Sequence, residues 1–219
     1  KIIVVSENIS DHFTNSYPKI ALKMNIIPNG YDPADFSNIN EISSDSNCIS
    51  YIGSLGESYP LEKFINAFKI LCSNSSNWKL RFVGNISEST KKLIEKNELE
   101  SNTFFIPYKP HHEAVQLMKS SSILLLIIPQ IKENKGILTG KIFEYIASEN
   151  PIIFIGPLDG DAAAILSEFE NIVALDYSDE IDLSKIIKEL TDKKSNAKRM
   201  LKYSRVDQTQ KIAKLIEEN

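Results

Sequence analysis

Cysteine is scarce in this chain of 219 residues, which has only Cys48 and Cys72. Both lie in apolar contexts and form no close metal-ligand pair, so buried free thiols in a reducing compartment are expected. An excess of positive charge is missing too. Lys and Arg number 25 against 29 Asp and Glu, for a formal net charge of -4. That balance argues against a nucleic-acid binder held by phosphate contacts. No apolar run approaches the ~20 residues needed to span a bilayer, and no secretory leader is expected, so the expected location is cytoplasmic. Gly-x-Gly-x-x-Gly is absent after the first strand, which counts against a nicotinamide-dependent dehydrogenase. No internal repeat or low-complexity tract stands out. The first residue is lysine rather than methionine, which predicts a piece of a longer protein with a partner domain outside it.

What the chain does have is apolar sequence, 42% of its residues, enough for one large α/β domain or one domain with an appendage. Ile2-Ile3-Val4-Val5 reads as a short buried strand. Ser6 to Tyr17 could hold a short helix beginning near Asp11, and Ile26-Ile27-Pro28-Asn29-Gly30 reads as a second short strand broken by turn chemistry. Tyr31 to Ser46 is polar, with little apolar periodicity, and reads as a linker. From about Asn47 strands and helices alternate. Strands are expected at Cys48 to Ile52, Leu80 to Val83, Phe104 to Ile106, Ile123 to Ile128, Pro151 to Ile155 and Ile172 to Leu175. Helices are expected at Leu61 to Cys72, Ser87 to Asn97, His112 to Met118, Ala162 to Phe169, Ile181 to Leu190 and Ser195 to Glu218. The alternation predicts an α/β fold with a doubly wound, Rossmann-like parallel sheet of six strands. Ligands of such sheets bind beyond the carboxyl ends of the strands. Gly53, Gly84, Tyr108 and the loop before Thr139 fall there.

The densest chemistry lies between Gly136 and Ser148. The preceding apolar run, Ile123 to Ile128, ends at Pro129, and a polar loop leads to a glycine-containing helix start. Thr139 is the expected N-cap, with Gly140 and Lys141 in the first turn. A lysine there is locally unfavourable, because the helix N-terminus already carries partial positive charge. Free N–H groups, a nearby glycine and a misplaced cation together suit an anion. Glu144, three residues on, neighbours Lys141 on the helix surface and can accept hydrogen bonds from a sugar diol. Ile142, Phe143, Ile146 and Ala147 form the face that packs on the sheet. An ordinary strand-loop-helix with a surface Lys–Glu pair accounts for the same letters.

The succession Tyr51-Ile52-Gly53-Ser54-Leu55, Arg81-Phe82-Val83-Gly84, Ile106-Pro107-Tyr108 and Lys141-Ile142-Phe143-Glu144-Tyr145-Ile146-Ala147 resembles the C-terminal half of a GT-B glycosyltransferase. It is most similar to family four, the retaining enzymes that build bacterial polysaccharides. Val4-Val5-Ser6-Glu7 and Ile27-Pro28-Asn29-Gly30-Tyr31-Asp32 resemble the end of the acceptor domain and the hinge. The resemblance implies three parts: residues 1–46 as the tail of an N-terminal acceptor domain plus hinge, 47–192 as the nucleotide-sugar-binding domain, and 193–219 as a helix returning toward the N-terminal domain. It implies a nucleotide diphosphate sugar as substrate, no metal or other cofactor, and a polysaccharide or glycolipid acceptor held by the N-terminal domain.

Residue by residue, the resemblance puts Glu144 where a motif glutamate accepts from the ribose hydroxyls. Gly136, Ile137, Leu138, Thr139 and Gly140 form the loop and helix start whose N–H groups meet the diphosphate. Gly53 and Ser54 lie in the first glycine loop, near the same phosphates, and Tyr108 and Lys109 in the loop that borders the base. Lys141 is the candidate catalytic residue, stabilising the leaving diphosphate as charge builds on it. There are departures. The family's first motif glutamate falls on Gly136, its arginine after the first glycine on Ser54, and its lysine on about Tyr59. Two other readings share the architecture: a sugar-nucleotide epimerase, and a binding or interaction module without activity.

Three further features invite other readings. Asp159-Gly160-Asp161 resembles a metal motif, but Asp161 as the N-cap of the following helix explains it better. His111-His112 before Glu113 suits a helix cap or the surface, and His12 has no nameable partner. Lys193, Lys194, Lys198, Arg199, Lys202 and Arg205 form a basic stripe. A solvated helix face is its usual meaning, and peripheral contact with acidic lipids at the inner face of the membrane is the second.

Overall fold

A computed structural model describes residues 1–37, 45–75, 77–191, 193 and 197–218. In chain order the strands and α-helices are β1 Ile2–Val4, α1 Glu7–Ser16, β2 Met24–Ile26, α2 Pro33–Ser37, β3 Asp45–Ile52, α3 Glu62–Asn74, β4 Lys79–Val83, α4 Glu88–Lys96, β5 Thr103–Ile106, α5 His111–Ser120, β6 Ser121–Ile127, α6 Gly140–Ser148, β7 Ile152–Ile155, α7 Asp161–Leu166, β8 Ile172–Leu175, α8 Leu183–Thr191, α9 Ala197–Met200 and α10 Arg205–Glu217. Six strands form one sheet in the order β5-β4-β3-β6-β7-β8, and β1 and β2 form a separate pair. Every pairing is parallel. The chain runs outward from β3 to β5, returns through α5 to β6 beside β3, and runs outward the other way. The topological switch point therefore lies between β3 and β6.

Side-chain alternation along the strands assigns the two faces. Ile49, Tyr51, Leu80, Phe82, Ile123, Leu125, Ile127, Ile153 and Ile155 meet α3, α4 and α8 in one core. Ile52, Val83, Leu124, Leu126, Ile152 and Phe154 meet α5, α6 and α7 in the other. Because both faces are covered, the central strands read as unbroken apolar runs. One charge is buried among them. Arg81 donates to Ser50 Oγ at 3.0 Å, Asp45 Oδ2 at 2.6 Å, Leu117 O at 3.0 Å, and Ser120 and Ser121 Oγ at 3.0 Å each. A guanidinium so fully satisfied is a structural clamp on the sheet's amino end.

The expected six strands are present, with shifts of boundary. β3 begins at Asp45, inside the expected linker, which also contains α2; its middle, 38–44, lies outside the described residues. α1 starts at Glu7, not near Asp11. β1 is less buried than its letters suggest, since Ile3 is 44% exposed. The expected C-terminal helix is interrupted. α9 gives way to a 3-10 turn at Leu201–Tyr203, and Ser204 caps α10 by accepting from Asp207 N at 3.1 Å.

At that interruption the chain ends meet. Tyr31 N donates to Tyr203 O at 3.1 Å, and Arg205 N donates to Tyr31 O at 2.8 Å. A Cβ on Gly30 would lie 2.3 Å from Tyr203 O, so only glycine lets the backbones approach this closely. Lys1 Nζ donates to Leu215 O at 2.8 Å, which places α10 along the N-terminal segment.

Candidate functional site

The site starts from two glycines. Gly53 ends β3 with φ +133° and Gly84 ends β4 with φ +120°, a backbone region that side chains disfavour. A Cβ on Gly84 would lie 2.6 Å from Gly53 O, and one on Gly53 would lie 2.6 Å from Lys141 Nζ. The two loops thus nest together, with the lysine closing over them. Gly53 N donates to Val83 O at 2.8 Å and Gly84 N to Ile106 O at 2.9 Å, so the sheet's hydrogen bonding continues into the loops.

Tyr145 holds this edge from below. Its ring is fully buried, and its hydroxyl accepts from Ile52 N at 2.8 Å, where the β3–β6 ladder has already ended at Ser50. Desolvation by burial pushes the Tyr145 hydroxyl's pKa upward, so it stays protonated. Tyr51 braces the loop from the other face, donating to Ser54 O at 2.7 Å.

Thr139 is the N-cap residue of α6, with extended φ/ψ of -83° and 151°, although its side chain makes no cap hydrogen bond. Of the first-turn N–H groups, that of Ile142 donates to Thr139 O at 3.2 Å, while those of Gly140 and Lys141 precede any intrahelical acceptor. Lys141 does not lie on the surface as a Lys–Glu pair. It folds over β3, with Nζ 4.0 Å from the centroid of the Tyr51 ring. Among the described residues no carboxylate oxygen lies within 4.0 Å of it. Burial pushes its pKa down to about 8, and the nearby Glu144 offsets part of that.

One turn on, Glu144 faces a cleft of about 240 Å³ whose lining includes Gly53, Ser54, Gly84, Tyr108, Lys109 and His111. The structure thus brings together Gly53, Ser54, Tyr108, Lys141 and Glu144 from three separate parts of the chain. Tyr108 is 73% exposed and offers a free ring at the mouth. Lys109 is paired with Glu113 at 2.8 Å. His111 does more than the cap or surface role its letters suggest. Its Nε2 lies 2.8 Å from Asp35 Oδ2 on α2, and its Nδ1 lies 4.0 Å from Glu144 Oε1. No sequence spacing signals this contact, because Asp35 and His111 are 76 positions apart.

The remaining expected residues do not line this cleft. Thr139 and Gly140 are exposed at the start of α6, Leu138 is buried in the core, and Ile137 packs against that core. Gly136 faces α1, where a Cβ would lie 3.4 Å from Asn8 Cβ and from Ile9 Cγ1. It borders a separate groove of about 750 Å³ that also includes His12, Phe13 and Glu133. A glutamate at position 136 would have to turn into that groove or push α1 away. Tyr59, near where the resemblance implies a lysine, sits edge-on to Tyr51 at 6.3 Å.

Asp161 is not the N-cap of α7; Gly160 is. The Asp161 carboxylate instead accepts from Asn8 N at 3.1 Å and Asn8 Nδ2 at 2.9 Å, capping α1 from across the fold. Among the described residues no His/Cys/Asp/Glu group is arranged to hold a metal. The basic stripe is largely engaged. Lys193 pairs with Glu189 at 2.6 Å, Lys202 with Glu168 at 2.6 Å, and Arg199 and Arg205 donate to the carbonyls of Glu168 and Gly30. Lys194 lies outside the described residues. Cys48 and Cys72 are free, and burial raises both thiol pKa values. No helix among the described residues is long and apolar enough to cross a membrane.

The same fold recurs in solved structures. HepE of Anabaena, crystallised in complex with UDP, superposes with a TM-score of 0.78 at 18% identity, over 99% of this chain and 63% of that one. Sucrose-phosphate synthase of Thermosynechococcus elongatus gives 0.76 at 14% identity, over 99% and 57%. WaaG, a glycosyltransferase of lipopolysaccharide biosynthesis, gives 0.67 at 18% identity, over 88% and 54%. The chain therefore spans less than two thirds of the length of each. No curated protein matches it in sequence. The family model for glycosyl transferases group 1 matches residues 33–207, which takes in the whole six-stranded sheet and the cleft, and the chain belongs to that family.

Proposed function

We propose that this chain is the nucleotide-sugar-binding half of a glycosyltransferase, with the nucleoside in the cleft beside Glu144 and the diphosphate between Lys141, the Gly53 loop and the start of α6. The single observation that supports it most is Lys141. An ammonium set on an aromatic ring, with no carboxylate oxygen within 4.0 Å among the described residues, beside the amino end of α6, suits an anion. A cleft of about 240 Å³ is smaller than the ~300–1,000 Å³ of drug-sized pockets; it suits a nucleoside, with the sugar lying beyond the diphosphate. In transfer, negative charge grows on the departing diphosphate. Lys141 and the α6 amides are already in place to stabilise it, and a preorganised donor costs nothing to reorient during the step. Glu144 positions the nucleotide through its ribose.

In this reading the donor is a nucleotide diphosphate sugar, and the acceptor, a growing polysaccharide or a glycolipid, is held by a domain outside these residues. The chain alone is expected to bind donor without turnover. Calorimetry with uridine and guanosine diphosphates tests the reading. Binding of one of them, weakened at least tenfold by Lys141→Ala and by Glu144→Ala, is expected. No binding of either at millimolar concentration would leave the inactive interaction module, which the uncharged Ser54 and Tyr59 favour.

A further inference from the structure

Resting on the donor-site reading, we infer that His111 is a second ribose-binding residue, its Nδ1 and Glu144 Oε1 forming a pair of acceptors for the two vicinal hydroxyls, with Asp35 as the positioning residue. Asp35 Oδ2 lies 2.8 Å from His111 Nε2. A carboxylate can only accept, so Nε2 carries the proton and donates. In the neutral ring that leaves a bare lone pair on Nδ1. This lone pair faces Glu144 Oε1 across 4.0 Å, too far for a hydrogen bond between them. Two acceptors side by side, neither satisfying the other, call for two donors side by side. The 2′- and 3′-hydroxyls of a ribose provide that pair, one donating to each.

The surroundings fit the same ligand. His111 and Glu144 both line the cleft, beside the apolar Ala114 and Met118. His111 and Glu144 come from the start of α5 and the first turns of α6, and those helices pack against each other, so the spacing of the two acceptors is fixed by the fold. Asp35 reaches in from α2, whose Phe36 packs at the second core. Its carboxylate is partly shielded, at 32% exposure. His, Asp and Glu are metal-ligand residue types, but no group of them among the described residues is arranged to hold a metal.

The test is calorimetry on the 219-residue chain with uridine and guanosine diphosphates and their 2′-deoxy and 3′-deoxy forms. The unaltered chain is expected to bind each deoxy form roughly three- to tenfold more weakly, the worth of one hydrogen bond. His111→Ala and His111→Leu should weaken the ribonucleotide by a similar factor and erase the discrimination at one hydroxyl only. Glu144→Gln should relax the discrimination at the other. Asp35→Asn should reproduce a weaker form of the His111 pattern, which a merely structural contact would not do. If Lys141→Ala and Glu144→Ala abolish binding while His111→Leu keeps the full preference for ribose over both deoxy forms, this inference is overturned and the donor site stands. If neither nucleotide binds, both fall together.

Discussion

Lys141 Nζ lies 4.0 Å from the centre of the Tyr51 ring, so a cation from α6 sits on the strand that ends in the Gly53 loop. The resemblance puts cations where this chain has Ser54 and at about Tyr59; the charge beside this loop comes from another element. This contact ties binding to pH. With the pKa held down to about 8, the ammonium is lost in mild alkali, and an anion binds the protonated form. Affinity for nucleoside diphosphate should fall as pH rises through about 8, approaching tenfold per unit. Calorimetry near that pH in buffers of different ionisation enthalpy should show net proton uptake on binding. Lys141→Met should bind weakly and show neither effect.

The same burial makes Lys141 a stability liability. Its pKa is depressed in the fold, so the unfolded chain holds the proton more tightly, and stability rises with pH between about 8 and the ordinary value of 10.5. At neutral pH the charged side chain costs stability. Lys141→Met should therefore raise the urea midpoint at neutral pH by an equivalent of about 1–2 kcal/mol, less than the full shift implies because the ammonium keeps some solvent contact. The rise in alkali should disappear in the variant. A loss of stability at neutral pH would contradict this.

Tyr145 offers the opposite case, a residue that supports the site without facing it. Removing its hydroxyl leaves Ile52 N–H buried without its 2.8 Å acceptor. Tyr145→Phe should cost about 1–3 kcal/mol in chemical denaturation. It should also weaken nucleotide binding severalfold, because Gly53 follows directly on the loosened residue.

Gly84 tests the nesting of the loops. Its φ of +120° strains any side chain, and a Cβ would lie 2.6 Å from Gly53 O. Gly84→Ala should cost on the order of 1–3 kcal/mol from backbone strain and lower nucleotide affinity by displacing Gly53. Unchanged affinity would show that the first loop does not touch the ligand.

Asp161 should matter to α1 alone. Asp161→Ala removes the acceptor for Asn8 N and Nδ2 and should cost about 1–2 kcal/mol, the range for a lost N-cap. Hydrogen exchange should accelerate in α1 and leave α3 and α6 as they were. Acceleration throughout the sheet would mean that Asp161 holds more than one helix.

Much of the fold was legible because burial on two faces writes itself into the letters. The runs Ile123 to Ile128 and Pro151 to Ile155 could be central strands of a parallel sheet and little else. Gly53 and Gly84 are expected beyond the carboxyl ends of strands, and each does follow a strand, with positive φ. Gly136 was harder. Its letters suggested a diphosphate loop, whereas its Cα faces α1, and no local pattern reports what a residue 128 positions away will pack against. Asp161 misled for the same reason. A carboxylate before an apolar helix reads as that helix's own cap, and only the packed fold shows it capping another.

The sequence by itself determined the order of strands and helices, the parallel sheet, and the place of Lys141 and Glu144 on adjacent turns, since these depend on period and local backbone chemistry. Only the tertiary structure decided that Lys141 lies over Tyr51, that His111 pairs with Asp35 and lies beside Glu144, and that Tyr145 pins Ile52. Each of those contacts joins residues far apart in the chain. Their geometry is set by how the helices pack on the sheet, which no single stretch of sequence encodes.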